Sequence, residues 1–426
     1  MRMRLLRPLS IALMLALVGT ACGDTGTDGR DGGGGTVEIA AVWTAAEQEA
    51  FREVLDAFTE ETGTQVTYTS TGDQIATVLR TRLEGNDPPD LAVLPQPGLL
   101  RDLVSQNAVK PIEEIVGETV DENWAPSWRE LGSIDDTLYG LWFKASNKST
   151  VWYNVRAFEN AGVEAPETWD DFKRTLTTIR DSGTTPLAIG GGSGWVLTDW
   201  FENIYLRTAG PELYDQLVAH EIPWTHDSVK AALRTFGEIL QDRNMIARND
   251  PTALEFEASV DAVWRNPPDA AIVFEGDFVP GVASVEAEAE TDYDVFDFPS
   301  IGGSPAAVVG SGDMVVMLDD NPQARALLEY LATPEAAEIW AAKGGFGTPN
   351  QAVDANAYPD PIIRRTATAL AEAETFRFDL SDLVPSELGG DLPGSMWGIL
   401  QEFARDPSTV DQTAERLEAR AAQAYG

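Results

Sequence analysis

Thiol and imidazole chemistry have almost no raw material in this chain. Its 426 residues hold one cysteine, Cys22, and two histidines, which excludes intramolecular disulfides, a CxxC redox pair and any thiolate metal cluster. Both histidines, His220 and His226, stand in the segment HEIPWTH. That segment lacks the i, i+4 pairing around a glutamate that a zinc-binding helix uses, so no metal is expected and the two read as polar positions beside a loop. With no GxSxG elbow and both imidazoles in one short segment, a Ser-His-Asp triad has no footing. A Walker A loop is missing too, since GGGSG at 190–194 lacks the Lys-Ser/Thr that cradles phosphate. Basic side chains are scarce: 30 Lys+Arg face 69 Asp+Glu, a net charge of −39. A surface that tracks nucleic-acid phosphates needs a basic stripe, so a nucleic-acid partner is excluded and neutral or cationic ligands fit better. Long hydrophobic runs are limited to residues 9–18, too short to span a bilayer.

What is present begins with an address. Arg2, Arg4 and Arg7 precede that apolar run, and small residues Gly19, Thr20 and Ala21 lead into Cys22, the layout of a signal peptide over 1–21. The site resembles the lipobox of bacterial lipoproteins, in which the cysteine becomes the lipidated first residue, although Gly19 stands where leucine is usual. The tract GDTGTDGRDGGGG follows, and residues 22–36 read as a flexible tether with nothing to bury.

From Val37 the pattern is that of a folded body, and the length suits two or three domains. VEIAAVW reads as a buried strand, and Phe51, Val54, Leu55 and Phe58 recur at helical spacing before a glycine stop. TQVTYTST, the helix in DQIATVLRTRLEG and the strand LAVLP complete a β-α-β-α-β opening, which argues for a mostly parallel α/β sheet. The alternation continues through PIEEIV, GLWFKAS, VWYN, TWDDFKRTLTTIRDSG and PLAIGGG, then AAIVFEG, DMVVML, NPQARALLEYLAT and a helical run over 407–424. No repeat of 20 to 50 residues interrupts it.

Aromatic residues cluster at strand ends and turns. Trp43 follows VEIAAV, Trp142 and Trp152 lie in strand-like segments, and Trp195, Trp200, Trp264 and Trp397 stand in or beside Gly- or Asp-containing turns. Sugar rings present apolar C–H faces that stack on indoles, and open α/β sheets place the ligand crevice beyond the carboxyl ends of strands. Packing explains any single one of these residues equally well. Paired carboxylates for glycoside cleavage are available, among them Glu275, Asp277 and Asp313, but 69 acids always offer some pair.

Several segments together carry a family resemblance: GNDPPDLAVLPQPGLL, LYGLWFKASNKSTVWYN with FENAGVEAPETWDDF, AIVFEGDFV, YLATPEAAEIWAAKGGFGTPN and FRFDLSDLVP. In this order, from Val37 to the C-terminus, the chain resembles the bacterial extracellular solute-binding proteins of carbohydrate ABC importers, nearest the alpha-glucoside-binding branch. The resemblance implies an α/β, two-lobe periplasmic-binding-protein-like clamp of type II, maltose-binding-protein-like, with several hinge crossovers. It implies crossings near 144–148, 311–314 and 349–352, so that lobe one takes 37–145 plus 313–350 and lobe two 146–312 plus 351–426. It further implies no cofactor and no enzymatic activity. The expected molecule is a monomer on the extracellular face of the membrane, anchored at Cys22, that captures a carbohydrate, an alpha-glucoside oligosaccharide, in the cleft between the lobes and hands it to permease subunits with their ATPase.

Expected ligand residues follow from the same resemblance. In lobe one they are Trp43 and Glu47 at the first strand-to-helix turn, Gly72 and Asp73 after the second strand, and Gln96 after the third. In lobe two they are Trp195, Asp199 and Trp200, then Glu275 and Asp277, with Trp397 in GSMWG as a C-terminal stacking residue. Asp313 joins them at a crossover, and Gly345 and Phe346, beside Gly344, at the third crossing. Asp73 serves equally as a helix N-cap and Glu47 as a first-turn charge on a helix dipole. Arg377 and Asp379 could bind or pair internally, and Trp169 reads as packing. Rival ligands for the same clamp are a glycerophosphodiester or a polyamine; a secreted glycoside hydrolase is the rival of another class.

Overall fold

The computed structural model describes residues 34–371, 373 and 375–426. The expected signal sequence, Cys22 and nearly all of the tether lie outside the described residues.

β1 (Thr36–Ala41), the helix Ala45–Thr62, β2 (Gln65–Ser70), the helix Ile75–Glu84 and β3 (Leu91–Leu94) form the expected opening unit, with β1 parallel to both β2 and β3. The first helix buries Phe51, Val54, Leu55 and Phe58 on one face. It stops at Gly63, whose φ of 75° lets its amide reach the Thr59 carbonyl. PIEEIV opens the helix Glu113–Asn123, because Ile112, Val116 and Val120 recur every fourth residue and all three are buried. A small hairpin of β4 (Ser133–Ile134) and β5 (Thr137–Leu138) follows.

The remaining strands are β6 (Gly140–Asn147), β7 (Thr150–Asn154), β8 (Leu187–Ala188), β9 (Ile272–Phe274), β10 (Tyr293–Asp297), β11 (Val308–Met317) and β12 (Phe376–Phe378). They complete two sheets. The larger has the order β12-β11-β3-β1-β2 with β6 also on β11, and the smaller is β10-β7-β9-β8. β11 runs antiparallel to β3 and to β6.

Each sheet has its own hydrophobic core, and each core with its sheet makes a lobe. The first core gathers β1 to β3, Leu141 to Phe143 of β6, Met314 to Met317 of β11 and the helices Pro322–Leu331 and Pro334–Ala341. The second gathers β7 to β9, the helices Trp195–Ala209 and Asp227–Leu240 and the C-terminal helices. Val309 belongs to the second core and Met314 to the first, so β11 itself passes from one lobe to the other. Residues 351–426 were expected in lobe two; β12 pairs parallel to Val308–Gly310, the part of β11 beside the second core, while its Phe378 joins the first core, edge-on against Trp142 at 5.3 Å and Trp128 at 6.1 Å. Among the described residues no helix is long and apolar enough to cross a membrane.

Candidate functional site: the cleft between the lobes

β6 and β11 form the floor of a cavity of about 200 Å³ between the lobes. Alternation along β6 turns Lys144 and Ser146, and beyond its end Lys148, toward the cavity, while Ser311 and Asp313 come from β11. Both ammonium groups are already occupied. Lys144 Nζ donates to Glu47 and lies 4.0 Å from Asp313, over the rings of Phe278 and Trp340 at 5.1 and 5.4 Å. Lys148 Nζ lies 3.1 Å from Asp199 and 2.6 Å from Asp379.

The strand ends of the first lobe deliver the expected residues. Trp43, 2% exposed, donates from Nε1 to Asp313 Oδ2 at 2.9 Å. Glu47 sits in the first turn of its helix, its carboxyl raised by burial against the downward pull of Lys144. Gly72 takes φ 54° and starts a short 3-10 turn, which sets Asp73 on the cavity wall without its capping a helix. Withdrawal from water pushes Asp73 up to about 7, with Glu257 and Glu255 raising it further and a hydrogen bond from Trp195 lowering it. Gln96, at the N-cap of the helix Pro97–Ser105, also faces in.

From the second lobe come Trp195 and Trp397. Gly194, at φ 76°, precedes Trp195, and a Cβ on it would fall 2.9 Å from Trp397 Cβ. The absent side chain leaves room for Trp397 beside the start of the Trp195 helix; both half-buried indoles line the cavity, and among the described residues the Nε1 of Trp397 has no partner. Glu257 accepts from Thr44 Oγ1 at 3.3 Å and Asp391 from Thr77 Oγ1 at 3.0 Å, contacts that join the lips.

Six expected residues are not in the wall. Asp199 lies beneath it, fully buried on Lys148 and pushed up to about 8 by burial, which outweighs Lys148. Glu275, also fully buried, neighbours Asp199 and is raised by burial and by that charge. Asp277 is 3% exposed; burial pushes its carboxyl up to about 7, and its amide donates to the Asn147 carbonyl at 3.0 Å. Trp200 is a core residue, stacked 5.9 Å from Phe236 and packed on Phe274 and Phe298. Phe346 likewise stacks on Trp340 at 4.9 Å in the first core. Gly345, at φ 63°, abuts Gly281 so closely that a Cβ would come within 2.3 Å of the Gly281 Cα. Arg377 and Asp379 do not pair with each other: Arg377 holds Asp215 at 2.6 Å. His220 contacts Glu418, and His226 caps the helix Asp227–Leu240. Oxygens of Asp199, Glu202 and Asp379 lie within 4.8 Å of one another, but the Lys148 ammonium sits between Asp199 and Asp379 where a cation would go.

Sequence reading missed Ser146, Glu257, Phe278, Ser381, Asp382 and Asp391 in the wall. One signal was available: three polar residues two apart, Lys144, Ser146 and Lys148, at the end of an otherwise apolar strand.

The arrangement offers indole faces, carboxylate acceptors and amide groups, with its two cations internally neutralised. The model of the bacterial extracellular solute-binding protein family matches residues 43–338. An osmoprotective compounds-binding protein of Synechocystis is 36% identical over 96% of this chain and 98% of its own. An alpha-glucosides-binding periplasmic protein of Rhizobium meliloti is 32% identical over 91% of this chain and 87% of its own. Among solved structures, the solute receptor AcbH superposes with a TM-score of 0.82 at 19% identity, covering 92% of this chain and all of that one. A chitin oligosaccharide binding protein gives 0.78 at 18% identity, over 91% of this chain and 98% of its own. The fold is the two-lobe, maltose-binding-protein-like clamp, and the chain belongs to the bacterial extracellular solute-binding protein family.

Proposed function

We propose that the protein is a lipid-anchored receptor, tethered through Cys22 to the extracellular face of the membrane, that captures a small neutral alpha-glucoside and delivers it to an ABC permease with its ATPase. The observation that carries the ligand class is the pairing of both cleft lysines. With Lys144 held by Glu47 and Lys148 by Asp199 and Asp379, the cavity keeps no free cation for a phosphodiester among the described residues. Trp195 and Trp397 supply stacking faces, and the surrounding carboxylates accept hydroxyl hydrogens. The solutes after which the two relatives are named, alpha-glucosides for one and osmoprotective compounds for the other, support a hydroxyl-rich solute. The moving bodies would be residues 37–145 with 313–350 and β12, against 146–312 with the rest of 351–426. Closure around the solute would be selected by contacts available only in the closed state. A monomer suffices for this cycle, and no bond is made or broken.

A second reading has one observation behind it: Asp73, Glu257, Asp382 and Asp391 crowd the cavity, which favours an amine-bearing solute such as a polyamine. A thermal-shift panel separates the two. The purified protein is heated with maltose, trehalose, sucrose, longer alpha-glucans, glycerophosphocholine or spermidine; at a hundredfold excess over Kd a ligand of the native state adds about 2.7 kcal/mol. A shift with an alpha-glucoside recovered unhydrolysed is the expected result, and a shift with spermidine alone would replace the sugar by an amine.

A further inference from the structure

Among the described residues three basic side chains are buried, Lys144, Lys148 and Arg207. The two lysines pair with carboxylates of the cleft. Arg207 has no carboxylate of a described residue within 4.0 Å. It stands in the last turn of the helix Trp195–Ala209 and is 7% exposed. Its hydrogen bonds all go to neutral oxygens: Nη1 donates to the Asn203 carbonyl at 3.2 Å and to Asn203 Oδ1 at 3.0 Å, and Nη2 to the Ala307 carbonyl at 2.7 Å. The guanidinium lies over Phe298, 4.8 Å from the ring centre. The end of its helix offers a partial negative charge of about half a unit, which leaves the rest unmet. That is unexpected in a chain with 69 acids and 30 bases. Withdrawal from water pushes Arg207 down to about 9, and Asp297 pulls it the other way.

Arg207 reaches the wall of a second cavity, of about 480 Å³ against about 200 Å³ for the cleft, and no described residue lines both. This cavity is on the second lobe, between β10, the loop before β11 and the helix Pro361–Ala371. Phe296, Phe298, Pro166 and Pro305 make much of its surface apolar. Arg365, also in the wall, is already held by Asp294 at 2.5 Å and donates to the Val295 carbonyl at 3.3 Å. The acids of the wall, Glu167 and Asp297, are both exposed to water. A guanidinium withdrawn from water without a counter-charge costs the fold stability, and an anion that reaches it recovers that cost. Its flat fork of N–H donors matches the plane of a carboxylate. One unmet positive charge calls for one negative charge, whereas a dianion would set its second charge against Glu167 and Asp297. We propose that this cavity is a second binding site, for a small monocarboxylate whose charged end meets Arg207 and whose apolar body lies on Phe296 and Phe298. Nothing in it depends on which solute the cleft takes.

The test follows melting of the purified protein in hexanoate, benzoate, phenyl phosphate, benzyl alcohol or chloride. All salts are held at one ionic strength, because screening alone steadies a chain of net charge −39. Hexanoate and benzoate are expected to raise the midpoint by about 1–4 °C over chloride. Ala306→Trp, at an exposed loop position, would fill the cavity with Arg207 left in place and should abolish the rise. Asp297→Asn removes an exposed acid of the wall and should tighten benzoate binding about two- to fivefold. Arg207→Met keeps the reach of the side chain without its charge and should also abolish the rise; where it does not fold, the other two variants decide. No rise with either carboxylate, or a rise that survives Ala306→Trp, would overturn the proposal. Benzyl alcohol matching benzoate would overturn it by making the cavity a purely apolar one, and phenyl phosphate exceeding benzoate by placing a dianion there.

Discussion

Trp195 and Trp200 look alike in the sequence, five positions apart on one helix, but five positions turn a side chain roughly 140° around the axis. One faces the cleft beside Trp397 and the other enters the core against Phe236. Replacing Trp195 or Trp397 by alanine is expected to weaken glucoside binding by about 1–3 kcal/mol with cooperative unfolding kept, as titration calorimetry would measure. Trp200→Ala should do the reverse, costing about 3–5 kcal/mol of stability in a denaturant titration with little change in affinity. If neither cleft tryptophan alters affinity, the cleft is assigned to the wrong surface. Trp43, Gly72, Asp73 and Gln96 were legible because strand ends point at the crevice whatever the side chain. Glu257, Asp382 and Asp391 were not, because among 69 acids a single one carries no signal until the chain is folded around it.

Elements were legible where periodicity was long. The helix Ala45–Thr62 and strands β1 and β3 stand where their patterns put them, since each buries one continuous face or run. β12 was not, because three residues are too few to declare which sheet they join. β6 holds the most information per residue: its apolar positions Leu141 and Phe143 enter the first core while Lys144 and Ser146 line the cleft. Just past it, Lys148 ties Asp199 on one helix to Asp379 at the end of β12. Lys148 pulls Asp379 down to about 2 against the cost of its burial. Lys148→Met would strand those carboxylates and is expected to lower stability by about 3–5 kcal/mol by urea titration. An unchanged unfolding midpoint would mean that the carboxylates hold protons of their own and need no ammonium.

For the whole molecule, acid should stabilise rather than weaken the native state between pH 8 and about 5. Asp73, Asp199 and Asp277 are pushed up to about 7, 8 and 7, and Glu202, Glu275 and Asp382 are raised as well. Unfolded carboxylates titrate near 4. Between 4 and those values the native chain holds more protons than the unfolded one, so stability falls as pH rises through the window. Relief of the −39 net charge on acidification works in the same direction. Differential scanning calorimetry without solute should give a higher midpoint at pH 6 than at pH 8.5, and the opposite order would mean that these acids are ionised in the native state. Groups held low, such as Glu38 beside Arg82 and Asp379, reverse the trend only in stronger acid.

The passage of β11 through both lobes also sets an order of assembly. Trp43 reaches its partner Asp313 across 270 residues of chain, and β3, already beside β1, finds its second neighbour only when Met314 to Met317 have been made. Pairings so distant in sequence close slowly, because the loop between them must be gathered first. A chain threaded N-terminus first through a narrow channel could therefore travel most of its length without a finished sheet to jam the pore, and would lock into shape only on the far side.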